Sequence, residues 1–110
     1  MSISAFASGL SGLHSFQTAL DSSANNVANI DTPGYRPEQA DFQDIANGGV
    51  NAVVTTPHSP SAASISNTPS GTDYATEAVN SLQYQFGFDV SAQAVKAAEH
   101  NLGTLINITA

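Results

Sequence analysis

Apolar side chains return at alternating steps of three and four along the first stretch of the chain. Ile3, Phe6, Leu10, Leu13, Leu20 and Val27 carry the pattern, with Gln17 and Ala24 completing it. Such spacing lines residues up on one stripe of a helix, as in the seam of a coiled coil. Phe16 and Ile30 lie beside the stripe and widen it. The pattern predicts a helix from Ile3 to Ile30, with Ser2 or Ser4 capping its start. Thr32, preceding Pro33, is pushed out of the helical region, and Pro33-Gly34 suits the centre of a type II turn. The helix should stop there.

A second helical period runs from Asp73 to Ile108. Val79, Leu82 and Phe86 make one stripe; Phe88, Val95, Ala98, Leu102 and Leu105 make the next. The phase slips at Gly87, where a bend or a change of packing partner is expected. Asp73 is placed to cap this helix, and Glu77 sits near the positive end of its dipole. Gly103 costs about 1 kcal/mol relative to Ala inside a helix, so a close approach by another helix is expected there.

Between the helices the pattern breaks. Val50 to Thr55 suits a short strand after the Gly48-Gly49 turn signal. Pro57 to Gly71 is rich in Ser, Pro, Ala, Asn and Thr and reads as a flexible linker. The expected fold is mainly α: two long terminal helices forming an antiparallel coiled-coil-like hairpin, with a short irregular or β-containing insert. The segments are 1–33, 34–72 and 73–110.

Composition narrows the function. Hydrophobic residues make up 41% and charged residues only 10%, so the polar surface is built from Ser, Thr, Asn and Gln. That surface is cheaper to bury against a neighbour than one coated with Lys and Glu. Small residues around the early stripe (Ser4, Ala5, Ala7, Ser8, Gly9, Ser11 and Gly12) let helices approach closely. The formal net charge is -7, with two basic residues, Arg36 and Lys96. Phosphate backbones and anionic lipid both need more positive charge, so no nucleic-acid partner is expected. Cysteine is absent, which rules out disulfides and thiolate metal sites. No apolar stretch is long enough to span a bilayer, and no basic amino-terminal region marks a secretory signal. A chain of this kind is expected to stay in the cytoplasm or to leave it by a route that reads no cleaved signal.

Catalytic and metal-binding patterns fail their tests. His14, His58 and His100 have no second ligand at metal spacing. Asp41 and Asp44 read as part of a solvated turn. Glu77, Asp89 and Glu99 read as solvated or lightly paired helix charges, Lys96 pairing weakly with Glu99. No phosphate loop or nucleophile elbow appears. The chain is expected not to be an enzyme and to need no cofactor and no metal.

The run Ala24-Asn25-Asn26-Val27-Ala28-Asn29-Ile30-Asp31-Thr32-Pro33-Gly34-Tyr35-Arg36 resembles the signature of the flagellar basal-body rod and hook protein family. Ser8-Gly9-Leu10-Ser11-Gly12-Leu13 is similar to that family's opening. Ala92, Val95, Lys96, Ala98 and Leu102-Gly103-Thr104-Leu105 are similar to its closing helix, although His100 and Asn101 replace acidic and Met residues common there. The short middle makes the small proximal-rod subunits, the FlgC and FlgB types, the nearest resemblance.

The resemblance implies a structural subunit of the rod, assembling helically to transmit torque across the periplasm. Its implied partners are copies of itself, other rod subunits, and basal-body ring or export-gate components. Export without a cleaved signal is implied too. The assembly interface expected from pattern and resemblance comprises Phe6, Leu10, Leu13, Phe16, Leu20, Asn25, Asn26, Val27, Asn29, Pro33, Gly34 and Tyr35 on the first segment. On the last it comprises Leu82, Phe86, Phe88, Val95, Leu102 and Leu105. Asn side chains carry donors and acceptors together, and Tyr35 pairs an apolar face with a hydrogen-bonding tip. A second reading is a discrete helical-hairpin adaptor or export-chaperone-like protein acting as a dimer.

Overall fold

The computed structural model describes residues 2–57 and 68–109. Most of the linker expected from Pro57 to Gly71 lies outside the described residues. In chain order the elements are α1 (Ser2–Ala28), β1 (Gln39–Asp44), β2 (Val50–Thr55) and α2 (Tyr74–Thr109). The fold is mainly α, two long antiparallel helices with a short antiparallel two-stranded insert, as the pattern predicted. The molecule measures 68 × 25 × 15 Å.

Pairing runs head to tail. Gly9 faces Val95, Gly12 faces Ser91, Phe16 faces Gly87, and Ser23 meets Glu77 and Ser81. The helices have 27 and 36 residues, or about 40 and 54 Å at 1.5 Å per residue. Extending the pairing brings the start of α1 level with about Asn101, so roughly the last two turns of α2 run on past it.

The face that joins the helices is not the expected stripe. On α1 the buried positions are Gly9, Gly12, Ser15, Ala19, Ser22, Ser23 and Asn26. Ile3 and Leu10 from the apolar stripe are 75% and 45% exposed, and Gln17 and Ala24 are also exposed. Phe6, Leu13, Leu20 and Val27 are only partly covered. The reason is closeness of approach. A Cβ added to Gly9 would lie 2.7 Å from Val95 Cγ2, and one on Gly12 would lie 2.6 Å from Ser91 Oγ. Leucine cannot occupy a contact that tight, so the helices meet along their small residues and turn large ones aside.

α2 is unbroken through Gly87. The phase slip there marks a socket: the ring of Phe16 occupies the space where a Cβ would stand. Gly103, by contrast, has nothing within 4 Å of its would-be Cβ, so the helix approach expected there is not made within this chain.

The insert is a hairpin whose register pairs Gln39 with Thr55 and Asp44 with Val50. β2 is the expected strand. β1 is a correction: Asp41 and Asp44 lie in a strand, not a turn. Gly48 and Gly49, at φ 96° and 101°, close the tip, with Ile45 N–H donating to Gly49 O at 3.0 Å. Two serines of α1 dock the hairpin. Ser15 Oγ donates to Val50 O at 2.9 Å, and Val50 N–H donates to Ser11 Oγ at 3.1 Å. Phe42 then lays its ring 5.0 Å from Phe16 and 5.8 Å from Tyr84, within the range of favourable aromatic pairs.

Both helix ends follow local chemistry. Asp73 caps α2, its Oδ1 accepting from Ala75 N–H at 3.2 Å and its Oδ2 from Thr76 Oγ1 at 2.8 Å. After α1, Tyr35 N–H donates to Thr32 O at 3.1 Å across Pro33-Gly34, with Gly34 at φ 73°. That is the type II turn the dipeptide announces.

The two helical glycines of α2 should respond oppositely to alanine. Gly103→Ala enters open space and should raise stability by up to about 1 kcal/mol through helix propensity. Gly87→Ala must displace Phe16, and an overpacking cost of about 1–3 kcal/mol should outweigh the same gain. Urea unfolding of the two variants measures both signs.

Candidate assembly interface

Where α1 ends and α2 begins, a polar cluster ties the chain together. Asn26 is 1% exposed. Its Nδ2 donates to Glu38 O at 2.8 Å and to Glu77 Oε1 at 2.9 Å. Its Oδ1 accepts from Glu38 N–H at 2.7 Å and from Tyr35 Oη at 2.9 Å. Two donors and two acceptors are the full capacity of an amide side chain. Asn26 therefore joins α1, the segment after the turn, and α2 in one residue.

Glu77 is the partner that makes this costly to undo. Expected as a solvated helix charge, it is 6% exposed. Ser23 Oγ donates to its Oε2 at 2.7 Å. Ser23 has one proton, so in its 2.9 Å contact with Ser81 the second hydroxyl is the donor. Neutral hydroxyl and amide donors thus hold the carboxylate where α2 starts, at the positive end of the helix dipole.

Tyr35 and Tyr84 flank the cluster. Burial raises the pKa of both above the ordinary 10; Glu38 and then Glu77 add to the shift at Tyr35, Glu77 and then Asp41 at Tyr84. Asn25 and Asn29 extend the cluster outward. Asn25 Nδ2 donates to Glu38 Oε1 at 3.1 Å, and Asn29 Nδ2 to Asn25 O at 2.9 Å, while Thr32 Oγ1 donates to Asn29 Oδ1 at 3.1 Å. Asn26, one of the asparagines expected at an interface between chains, is buried and makes four hydrogen bonds within this one. Beside the cluster lies a polar cleft of about 440 Å³, its wall including Glu38, Asp41, Asp73, Glu77 and Tyr84. Among the described residues no three His, Asp or Glu side chains are grouped to hold a metal ion.

The apolar candidates fall into two sets. Leu82 and Phe86 are 68% and 71% exposed, and with Val79 and Val90 they form an uncovered stripe on α2. Leu10 and Leu105 are also exposed, the latter on the overhanging end of α2 with Ile106 and Ile108. Phe6, Leu13, Phe16, Leu20, Val27, Phe88, Val95 and Leu102 are partly covered. Pro33 is exposed, while Gly34 and Tyr35 are half-buried. Sequence reasoning missed Ser15, Ser23, Glu77 and Phe42. For Glu77 the available signal was weak: an acid at the head of a helix, in a chain whose other helix presents Ser23 and Asn26 three residues apart.

Comparison with known proteins points the same way as the motif. Residues 6–36 match the family described as flagella basal body rod protein. The flagellar hook protein FlgE of Helicobacter mustelae is 39% identical over 51 residues, 46% of this chain and 11% of that protein. The flagellar basal-body rod protein FlgG of Bacillus subtilis is 42% identical over 40 residues, 36% of this chain and 15% of that protein. The hook protein FlgE of Treponema pallidum is 40% identical over 45 residues, 41% of this chain and 10% of that protein. The chain spans only a small fraction of the length of these relatives. The resemblance to the flagellar rod and hook family stands, and it embraces hook as well as rod proteins.

Removing the amide of Asn26 should be severe. Asn26→Leu leaves the Glu77 carboxylate, Glu38 N–H and Tyr35 Oη short of partners, at a cost of about 3 kcal/mol or more, readable by urea unfolding. The tyrosines set an alkaline limit. Each binds its proton more tightly folded than unfolded, so stability should fall as the pH rises through and above 10. Absorbance titration of tyrosinate alongside melting temperature checks this: two phenols should titrate late and the melting temperature should drop over that range.

Proposed function

We propose that this chain is an axial structural subunit of the flagellar basal-body rod, of the proximal type, that assembles helically and passes torque across the periplasm. One observation carries the reading: a set of large apolar side chains on both helices is left uncovered by the contact between them. Leu82, Phe86, Val79 and Val90 on α2, and Ile3 and Leu10 on α1, stand out from the hairpin at 45% exposure or more. Side chains of this size gain about 1.5–3 kcal/mol each on burial, and neighbouring subunits would supply the cover. The flagellar match over residues 6–36 supports the same reading from an independent side.

In this proposal the polar cluster around Asn26 and Glu77 does not bind neighbours. It holds the helices and connector at a fixed mutual angle, so that the exposed stripes are presented in one geometry. The overhanging turns of α2 reach beyond the subunit's own α1 to the next one. Pro33 and the exposed Asn25 lie at the far end, placed for contacts along the axis. The subunit's work is mechanical, not catalytic. Its partners are copies of itself, other rod subunits, and ring or export components, and it travels through the flagellar export channel unfolded and uncleaved.

Phe86→Asp and Leu82→Asp test the proposal. Both positions are open to solvent in the single chain, so folding of the monomer should be nearly unchanged, within about 0.5 kcal/mol. Incorporation into basal bodies and motility should be lost. Normal incorporation of both variants would sink the proposal. A discrete dimer, with no rod defect when the chain is deleted, would support the adaptor reading.

A further inference from the structure

The tip of the hairpin carries Asn47, and it is the one asparagine in the sequence followed by glycine. Asn47 is exposed, and the chain turns immediately after it through Gly48 and Gly49 at positive φ. Glycine has no Cβ to obstruct its own backbone nitrogen. That nitrogen is therefore as accessible as a backbone nitrogen can be to the amide carbon of the preceding side chain. The other asparagines differ in just this respect: Asn51 precedes Ala52, Asn101 precedes Leu102, and Asn26 is also enclosed by four hydrogen bonds.

We propose that Asn47 is a site of spontaneous conversion from amide to acid through a cyclic imide. The Gly48 nitrogen attacks Asn47 Cγ, a new N–Cγ bond forms, and the Cγ–Nδ2 bond breaks. The amide proton leaves with Nδ2 as ammonia. Water then opens the five-membered ring at either carbonyl and returns a proton to the nitrogen. One opening gives aspartate; the other gives isoaspartate, with the main chain rerouted through the side-chain carbon. No oxidant or metal is needed. In the resting hairpin Gly48 N–H donates to Ile45 O at 2.9 Å, so one turn bond must open first. Such openings at an exposed loop tip are the cheapest a fold offers.

The position makes the change consequential. A Cβ at Gly49 would lie 2.5 Å from Ser11 Oγ, so the tip lies close against α1. An isoaspartate lengthens the main chain by one methylene just before that contact and adds a negative charge to a chain already at -7. The tip must lift, loosening the bonds from Val50 to Ser11 and Ser15. The inference is independent of the flagellar reading.

The test is to hold the full-length folded chain at mildly alkaline pH and sample it over time. Peptide mass mapping would follow the conversion, with enzymatic methylation of isoaspartate as the probe of the rerouted product. The Asn47 peptide should convert first, split into two acid forms, and supply the methylated product. Asn47→Gln should abolish that signal, and amide exchange at Val50 should quicken in the converted fraction. Retention of the Asn47 amide while Asn51 or Asn101 converts would overturn the proposal, as would conversion seen only in urea-unfolded chain.

Discussion

The helices of this protein meet along residues that have almost no side chain, and most other features follow. Gly9 and Gly12 let Val95 and Ser91 sit where a Cβ would otherwise be. Further along, Ser23 meets Glu77 and Ser81 of α2 with a small side chain of its own. An interface of this kind gains from dispersion between closely approached backbones more than from burial of large apolar groups. It also imposes a condition on everything else. Leucines and phenylalanines that cannot enter the contact must lie on its flanks or face water. Phe16 is the exception, and it enters because Gly87 leaves a hollow for its ring.

A narrow contact fixes distance but not angle, and the polar cluster supplies what is missing. Asn26, Glu38, Tyr35, Ser23 and Glu77 join the end of α1, the chain after the turn and the start of α2. An arginine partner for Glu77 would introduce a second charge needing its own desolvation. The amide and hydroxyl avoid that, and the helix dipole assists them. The hairpin insert adds a third brace, with Phe42 resting on Phe16 and Tyr84.

The helices, the Pro33-Gly34 turn, the Asp73 cap and β2 were legible in the sequence because each depends on local rules: periodicity, a fixed proline φ, a capping carboxylate, a glycine pair. The choice of face was not. Apolar periodicity reports which residues share a stripe, but not what that stripe faces, and in α1 the stripe and the intrachain contact are different. β1 was missed because Gln39-Ala40-Asp41-Phe42-Gln43-Asp44 has little strand propensity of its own. It forms because β2 pairs with it and Phe42 rests its ring on Phe16 and Tyr84. Burial of Glu77 was hidden for a similar reason: its donors come from residues more than fifty positions away.

Thickness has a consequence of its own. In a slab measuring 15 Å through its thinnest dimension, no atom lies deeper than about half that distance from water. A plank so thin encloses no more than a narrow midline, Ser15, Ala19 and Asn26 among it. Swapping the serines and glycines of its midline for leucine would only thicken it and force its two long members apart. Depth, for this shape, has to come from stacking one plank upon another.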